Sequence, residues 1–302
     1  MRRPVVFVVA ASAAIVAVGG VLITSSSADA RNVDAFRGLG AWVDVYDFVP
    51  AFHQGSSPAP VTASTVDDLA ALGARTIYLQ AAIDDTRAKG LIVDRERVAS
   101  LLRRAHDDGV RVVAWYYPQL VDPTRDRDRL DALLDFRTKG ERFDGIALDI
   151  ESRQVADLTE RNQRLVRLAR QVRAHAGQRP IGAIVYPAVQ TEVINPRLWP
   201  DFPYRKLARS VDAWFPMAYW TYRDPPYRDA FTYTHESVRR LRKDLGNPDA
   251  AVHPIGGLGA SSSPADIHGL VKAARHDHAL GWSIYDADTT ATTAWRFLRG
   301  DS

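Results

Sequence analysis

Short apolar runs alternate with amphipathic stretches along most of the chain. The apolar runs are bounded by Gly, Pro, Asn and Asp, which is typical of buried strands. Between them, apolar residues recur at i, i+3, i+4 and i+7, as in 98, 101, 102 and 105, which predicts helices. Eight strands are predicted: 39–46, 76–80, 110–116, 143–151, 181–185, 211–219, 251–255 and 281–285. Helices are predicted over 64–73, 94–109, 126–139, 157–176, 236–245, 263–274 and 292–298.

This alternation predicts an α/β protein, a single-domain (β/α)₈ TIM barrel over residues 31–302. Eight strand–helix units over roughly 260 residues match the size of that fold. A doubly wound open sheet is the alternative, but such a sheet normally carries a Gly-rich phosphate turn after its first strand. The first strand has no such turn, and Gly256-Gly257-x-Gly259 does not have the dinucleotide-binding spacing.

The amino terminus has the pattern of an export signal. Two arginines precede an apolar run over 5–23, and Ala28-Asp-Ala30 supplies a small-residue cleavage site. We therefore predict a signal peptide over 1–30 and a secreted or extracytoplasmic protein of the cell envelope. Because the run is long enough to span a bilayer, an uncleaved membrane tether is the alternative.

Composition narrows the classes of function. The 302 residues are 46% hydrophobic and 25% charged, with a formal net charge of +3. Basic residues are spread over predicted helices rather than gathered in one patch, so no nucleic-acid partner is expected. The chain has no cysteine, which excludes disulfides, thiol catalysis and thiolate metal sites.

The fourth predicted strand carries two carboxylates on one face. Strand side chains alternate, so Ala147, Asp149 and Glu151 share a face that is opposite to Leu148 and Ile150. Burying unpaired carboxylates is unfavourable, so acids at the end of a core strand indicate a function. A structural ion pair with one of the many arginines is the alternative.

The carboxyl ends of the other strands are aromatic and acidic. In a barrel these ends meet at one mouth, where the active site lies. Aromatic rings stack on sugars, and carboxylates bind hydroxyls and perform acid–base chemistry, so the expected partner is a carbohydrate polymer. The predicted substrate-binding residues are Asp44, Tyr46, Gln80, Tyr116, Tyr186, Met217, Tyr219, Trp220, Tyr285 and Asp286.

Three of these strands resemble family-18 glycoside hydrolases, the chitinase-like barrels. Asp144-Gly-Ile-Ala-Leu-Asp149-Ile-Glu151 is similar to the family's D-G-x-D-x-D-x-E, and Met217-Ala218-Tyr219 to its M-x-Y. Gly281-Trp-Ser-Ile-Tyr285 is similar to its eighth strand, where an aromatic residue floors the sugar site. The resemblance implies that Glu151 is the general acid and that Asp149 orients an acetamido group or stabilises its charge, helped by Tyr219.

The chain also departs from that pattern. Ala147 stands where the family usually has an aspartate, Trp220 where aspartate is common, and Tyr285 where tryptophan is usual. A second resemblance is to family-25 lysozymes, which combine a first-strand aspartate, here Asp44, with a D-x-E fourth strand. Two carboxylates two positions apart on a strand have Cα atoms about 6.5–7 Å apart. This spacing is compatible with either retention or inversion in glycoside hydrolysis.

Other chemistry is weakly indicated. His276 and His278 lie at the end of a predicted helix, where positive charge is favourable, and no set of carboxylates is spaced with them. We therefore expect no metal and no cofactor. The sequence predicts a glycosidase that uses Glu151 as acid/base and Asp149 as assisting carboxylate. The alternative, favoured by Ala147, is a catalytically inactive sugar-binding barrel.

Overall fold

The computed structural model of the protein describes residues 32–53 and 59–300. The predicted export signal over 1–30 lies outside these residues, so both cleavage and tethering stay predictions. Among the described residues, no helix combines the length and the apolar character that crossing a bilayer requires.

Eight parallel strands form a barrel, which confirms the predicted fold. Neighbouring strands follow the order β6-β5-β4-β3-β2-β1-β8-β7, and the ring closes between β6 and β7 through the bridges Trp214–Val252 and Met217–Ile255. The strands are β1 (Gly38–Val43), β2 (Thr76–Gln80), β3 (Arg111–Tyr116), β4 (Gly145–Ile150), β5 (Ile181–Val185), β6 (Ala213–Pro216), β7 (Ile255–Leu258) and β8 (Gly281–Tyr285).

Helices cover the outside of the barrel. Ser263 caps one of them through the backbone N–H of Asp266, and Pro264 occupies its first position, as the sequence predicts. The helices are α1 (Val45–Phe48), α2 (Ala63–Ala71), α3 (Arg95–Asp107), α4 (Pro123–Asp135), α5 (Leu158–Ala176), α6 (Tyr204–Leu207), α7 (Ala230–Leu245), α8 (Pro264–His276) and α9 (Thr292–Leu298). Short 3₁₀ turns lie at Asp34–Phe36, Trp220–Tyr222 and Gly259–Ser261, and a π turn at Gln190–Ile194.

The apolar residues form two layers. The larger layer lies between the strands and the helices, and the smaller one fills the barrel interior around Trp42, Tyr78, Trp115 and Phe215. Trp42 stacks on Tyr78 with ring centroids 4.4 Å apart. Since strand side chains alternate, most strands contribute to both layers, and the interior layer is the floor beneath the carboxyl-terminal mouth.

A histidine is buried in the interior layer below the mouth. His253 Nδ1 lies 2.9 Å from the carbonyl oxygen of Phe36, and its Nε2 lies 3.1 Å from Ser283 Oγ. Burial lowers the pKa of His253 to about 4. This neutral imidazole is hydrogen-bonded at both nitrogens and therefore stabilises the base of the barrel.

Several predicted boundaries differ from the structure. The first strand ends at Val43 rather than at 46, because Asp44 caps α1 through the backbone N–H of Tyr46. Thr62, not Ser64, caps α2. The sixth strand ends at Pro216, and the seventh begins at Ile255, where the prediction ended it.

Candidate active site

An open cleft of about 460 Å³ lies at the carboxyl ends of the barrel strands. It is the place where a (β/α)₈ fold builds its sites. Eight of the residues predicted from the sequence line this cleft: Asp44, Tyr46, Gln80, Asp149, Glu151, Met217, Tyr219 and Tyr285. The structure therefore brings together side chains from five strands and the segments that follow them, and their roles in binding or catalysis stay predictions.

A larger depression of about 960 Å³ lies beside α3. Two of its acidic residues have structural partners: Asp94 caps α3, and Asp135 Oδ1 lies 2.7 Å from His175 Nε2. Arg87 there pairs with Asp85. Because no carboxylates converge in it, this depression lacks the chemistry that the smaller cleft has.

Asp149 and Glu151 project into the cleft from the end of β4. The inward phase of this strand is set by Ala147, which packs in the interior layer, while Leu148 and Ile150 pack against the helices. Asp149 is 8% exposed, and its Oδ1 atom has no hydrogen-bond partner. The alternation predicted for β4 is confirmed.

Neither carboxylate is neutralised by a cation. Burial raises the pKa of Asp149 well above its ordinary value, and the charge of Glu151 raises it further. Burial also raises the pKa of Glu151. No ion pair between either group and an arginine or lysine occurs in the described part of the chain, so the alternative of a structural salt bridge is wrong. Burial therefore favours the protonated form of each of these two adjacent acids.

The opposite wall is formed where β1 and β8 end. Tyr285 donates its hydroxyl to Asp44 Oδ2 at 2.6 Å, and Asp44 Oδ1 accepts the backbone N–H of Tyr46 at 2.7 Å. Asp47 is buried behind them and accepts the backbone N–H of Asp44 at 2.9 Å. Burial and the nearby charge of Asp44 raise the pKa of Asp47 to about 8.

Tyrosines border the two carboxylate groups. Burial raises the pKa of Tyr219 and Tyr117, and the charges of Asp149 and Glu151 add to the increase. Tyr219 and Tyr285 lie with ring centroids 6.2 Å apart. These phenols therefore stay protonated and present both a hydrogen-bond donor and a ring edge to the cleft.

Two predicted cleft residues are placed elsewhere, and those predictions are wrong. Tyr116 points to the helices, because it has the opposite strand phase from Trp115, and it donates its hydroxyl to Asp126 Oδ1 at 2.6 Å. Trp220 is fully buried in the outer layer. The chain turns after Pro216, so strand alternation no longer sets the direction of this indole.

Two more predicted residues lie beside the cleft rather than in its lining. The Tyr186 hydroxyl donates to the backbone carbonyl of Glu151 at 3.2 Å, so Tyr186 positions the end of β4. Asp286 follows Tyr285 at the rim and accepts the backbone N–H and the hydroxyl of Thr289, both at 2.9 Å. Both are half-buried.

The structure adds lining residues that the sequence analysis did not select. Trp115 and Tyr117 flank the mispredicted Tyr116. Period-2 alternation places these two on the face opposite to Tyr116, but the apolar neighbours in β3 do not mark which face is the inner one. Asp84 and Gln119 also line the cleft, but they lie in segments after β2 and β3, where no periodicity signals a direction.

Two groups of side chains in the described ranges place three metal-type ligand atoms within 4.8 Å of one another. One group, of Asp44, Asp47 and Asp286, lies on the β1–β8 side of the cleft, and of its members only Asp44 lines the cleft. The other joins His235, His276 and Asp277 between α7 and α8, where Asp277 Oδ1 lies 2.8 Å from His235 Nδ1. The second group is far in the fold from β4 and takes no part in the cleft.

The arrangement suits acid–base chemistry on a neutral, ring-shaped substrate. A carboxyl of raised pKa can give a proton to a leaving oxygen, and a second carboxyl beside it can stabilise developing positive charge. The floor of Trp42 and Trp115 and the tyrosines around it offer aromatic surface at the same place.

No protein-family model matches the sequence, and no curated protein matches it. Solved structures do match in three dimensions. A class V chitinase from Pseudomonas fluorescens Pf-5 aligns with 87% of this chain and 98% of its own, at 10% identity and a TM-score of 0.61. The spore cortex-lytic enzyme SleL of Bacillus cereus aligns with 87% of this chain and 73% of its own (11% identity, TM-score 0.62).

The endo-1,4-beta-D-mannanase of Thermotoga petrophila RKU-1 aligns with 83% of this chain and 88% of its own, at 9% identity and a TM-score of 0.62. At such identities the likeness concerns the backbone fold. The chain therefore has the (β/α)₈ fold of the glycoside hydrolase barrels.

Proposed function

We propose that the protein is an extracytoplasmic glycoside hydrolase that cleaves a polysaccharide of chitin-like or peptidoglycan-like type. Glu151 acts as the general acid/base, and Asp149 is the assisting carboxylate. The observation that carries the proposal is the state of Asp149, which is 8% exposed, lines an open cleft and leaves Oδ1 without a partner. A buried polar atom without a partner is unfavourable unless a ligand satisfies it.

The geometry supports this division of roles. Glu151 lies at the mouth and is more exposed than Asp149, so it can reach an oxygen atom that enters from solvent. Asp149 lies one strand repeat deeper, where its carboxyl can face the sugar ring. Substrate-ring contacts are proposed for Trp115, Tyr117, Tyr219 and Tyr285, and the hydrogen bond from Tyr285 keeps Asp44 in place beside them.

The neighbouring folds support a carbohydrate substrate. The matched structures are a chitinase, a mannanase and a spore cortex-lytic enzyme. The proposal that this chain acts outside the cytoplasm depends on its predicted export signal. In the alternative version of this proposal, the signal is not cut and residues 5–23 tether the protein to the membrane.

A catalytically inactive sugar-binding barrel is the second candidate. The observation that favours it is Ala147, which packs in the interior layer where family-18 hydrolases usually carry a further aspartate. In such a protein the cleft would still hold a glycan, but the two remaining carboxylates would not complete proton transfer.

The decisive variant is Glu151→Gln, which keeps the shape of the side chain and removes its proton chemistry. We expect hydrolysis of N-acetylated chitin oligomers, peptidoglycan or mannan to fall by about 10²–10⁴-fold. Reducing-end release is the assay, and thermal unfolding checks that the variant is folded. Gln154→Glu, on the exposed segment after β4, is the control and should retain activity.

The outcomes separate the two candidates. Turnover by the wild-type protein that disappears in Glu151→Gln supports the hydrolase. Binding of the same oligomers without turnover supports the inactive barrel, and full activity of Glu151→Gln removes Glu151 from the mechanism.

A further inference from the structure

A cluster of metal-type ligands joins the helices α7 and α8 outside the cleft. His235 belongs to α7, His276 is the last residue of α8, and Asp277 is the C-cap residue of α8. One ligand atom of each residue lies within 4.8 Å of the other two. Since Asp277 comes shortly before β8, the cluster lies at the amino ends of the strands, on the face of the barrel opposite to the mouth.

The two imidazoles converge on one carboxylate oxygen. Asp277 Oδ1 lies 2.8 Å from His235 Nδ1 and 3.1 Å from His276 Nδ1. Two ligand atoms of a tetrahedral zinc ion, each about 2.0–2.1 Å from the metal, are about 3.3 Å apart. The separations in this cluster are therefore within about half an ångström of those that a shared zinc ion imposes.

The Asp277 carboxylate has an oxygen that no group in the described part of the chain satisfies. Asp277 is 9% exposed, and its Oδ2 atom is buried without a hydrogen-bond partner. Arg242 contacts this residue, but its guanidinium donates to the backbone carbonyl oxygens of Asp277 and Ala250. A buried polar atom without a partner is unfavourable unless a ligand satisfies it, and carboxylates coordinate cations through one or both oxygens.

Asp277 also stands at the unfavourable end of a helix for a carboxylate. The carboxyl end of α8 carries the negative pole of the helix dipole, where an anionic side chain is disfavoured. A depression beside Asp277 is lined by basic residues of α7, namely Arg239, Arg242 and Lys243. None of them forms an ion pair with the Asp277 carboxylate in the described ranges, where its partners are the two imidazoles. Neutral imidazoles donate hydrogen bonds without bringing positive charge, whereas a divalent cation brings both charge and direct bonds.

Aromatic packing holds both imidazoles in place. The Phe231 ring stacks on His235 with centroids 5.7 Å apart and meets His276 edge to face at 5.9 Å. The two imidazoles are nearly perpendicular, with centroids 5.1 Å apart. Because ligands that are already fixed lose less conformational freedom on binding, this packing favours metal affinity.

We propose that His235, His276 and Asp277 bind a zinc ion that ties α7 to the end of α8. Imidazole nitrogen and carboxylate oxygen are zinc ligands, and a site with three protein ligands takes a water molecule as its fourth. His276 is exposed, so solvent reaches that position. The chain has no cysteine and hence no disulfide, and the ion supplies a cross-link between two helices.

The sequence led us to expect no metal, because no set of carboxylates is spaced with His276 and His278. In the structure, His235 of α7 takes the place of His278, and the carboxylate is the one that directly follows His276. Ligands from two helices have no fixed spacing along the chain, so this set becomes visible only in three dimensions.

Zinc titration of the untagged full chain, stripped with EDTA, tests the site. We expect one zinc ion to bind per chain in calorimetry. The melting temperature should rise by about 5 °C or more at a zinc concentration of about 100 times Kd. X-ray absorption at the zinc edge should show nitrogen and oxygen ligands at about 2.0–2.1 Å. An excess of calcium, which prefers sites made only of oxygen, should not displace the zinc.

His276→Gln removes one ligand at an exposed position, so the variant should fold. We expect zinc affinity to fall by at least about 100-fold, since loss of an outer partner of a metal ligand already costs about 10–100-fold. Asp277→Asn should have an effect of the same size. His175→Gln is the matched control. His175 also contacts two aspartates, but through opposite ring nitrogens, so it cannot direct both contacts at one ion, and zinc affinity should be unchanged.

The outcomes are distinct. Zinc binding at one equivalent that is lost in His276→Gln and Asp277→Asn but kept in His175→Gln supports the site. No saturable zinc binding by the wild-type protein overturns the inference and leaves the two histidines as hydrogen-bonding partners of Asp277. Equal affinity in all variants means adventitious surface binding only, which also overturns it. None of these residues lines the cleft, so either result is independent of the proposed hydrolase.

Discussion

Two aspartates of this barrel, Asp126 and Asp149, are both buried but differ in their hydrogen bonding. Asp126 is 1% exposed and accepts three hydrogen bonds, from the Tyr116 hydroxyl and from the backbone N–H groups of Gln119 and Leu120. Asp149 is 8% exposed and has an oxygen that accepts none. Burial raises the pKa of both carboxyls.

The difference identifies what each group is for. Asp126 satisfies donors that would otherwise be orphaned at the start of α4, so its partners are all within the protein. The Oδ1 atom of Asp149 has no hydrogen-bond donor among the described residues, and the side chain lines the open cleft. The first aspartate maintains the fold, and the second is available to a ligand.

Among the variants that test this comparison, Asp149→Asn has the largest expected effect. We expect hydrolysis to fall by about 10²–10³-fold, because a neutral amide cannot stabilise positive charge that develops in the transition state. The free energy of unfolding should not fall, since the change removes a buried group that can ionise. Initial rates and urea unfolding measure the two quantities. A large loss of stability with normal rates would assign Asp149 the same role as Asp126.

Asp126→Ala should give the opposite result. Two backbone N–H groups and one hydroxyl lose their acceptor, so we expect the free energy of unfolding to fall by about 2–4 kcal/mol. The rate per folded molecule should be retained, because Asp126 does not line the cleft. Chemical denaturation at a temperature where the variant is folded provides the measurement. Unchanged stability would mean that these hydrogen bonds contribute little.

A pH dependence of stability is expected from Asp47, a third buried aspartate. Its pKa is raised from 3.8 to about 8, so between these values the folded state binds more protons than the unfolded state. This group's contribution therefore makes the free energy of unfolding decrease as pH rises from about 4 to about 8. Asp47→Asn keeps an acceptor for the Asp44 N–H and should flatten that decrease.

Comparing the Asp47→Asn variant with the wild-type protein separates the contribution of Asp47 to the free energy of unfolding from that of the carboxylates whose pKa is lowered. Asp85, for example, is held at a pKa of about 2 by Arg87 and loses its stabilising charge only below the window in question. Identical pH profiles for the two proteins would show that Asp47 is ionised in the folded state at neutral pH.

The sequence predicted the features that depend on the alternation of apolar and polar residues. The alternation of β4 placed Asp149 and Glu151 on the inner face, because Ile146, Leu148 and Ile150 left only one assignment for the helix-facing side. The predicted ranges of β2, β5, β8 and α9 match the structure.

The periodicity of the sequence did not give the direction of side chains where no polar residue marks which face of a strand points into the barrel. Trp115, Tyr116 and Tyr117 form an aromatic run, so choosing Tyr116 ignored a phase that only the neighbouring strands could fix. Trp220 follows a strand that ends at Pro216, and beyond that point its direction depends on packing against Gly256 and Gly257. Asp84 enters the cleft from an irregular segment, for which the sequence has no repeat to read.

The seam between β6 and β7 has a consequence for how the mouth can adapt. β6 and β7 are linked by two isolated bridges, whereas every other pair of neighbouring strands forms a ladder, which in the case of β7 and β8 contains a register shift. One of those bridges joins Met217 to Ile255, and both residues line the cleft. Across this seam the backbone N–H groups of Trp214, His253 and Ala218 donate to the carbonyl oxygens of Ala251, Trp214 and Ile255, respectively. If the mouth widens, this seam is the place where it can do so without breaking the ladders that hold β4 between β3 and β5.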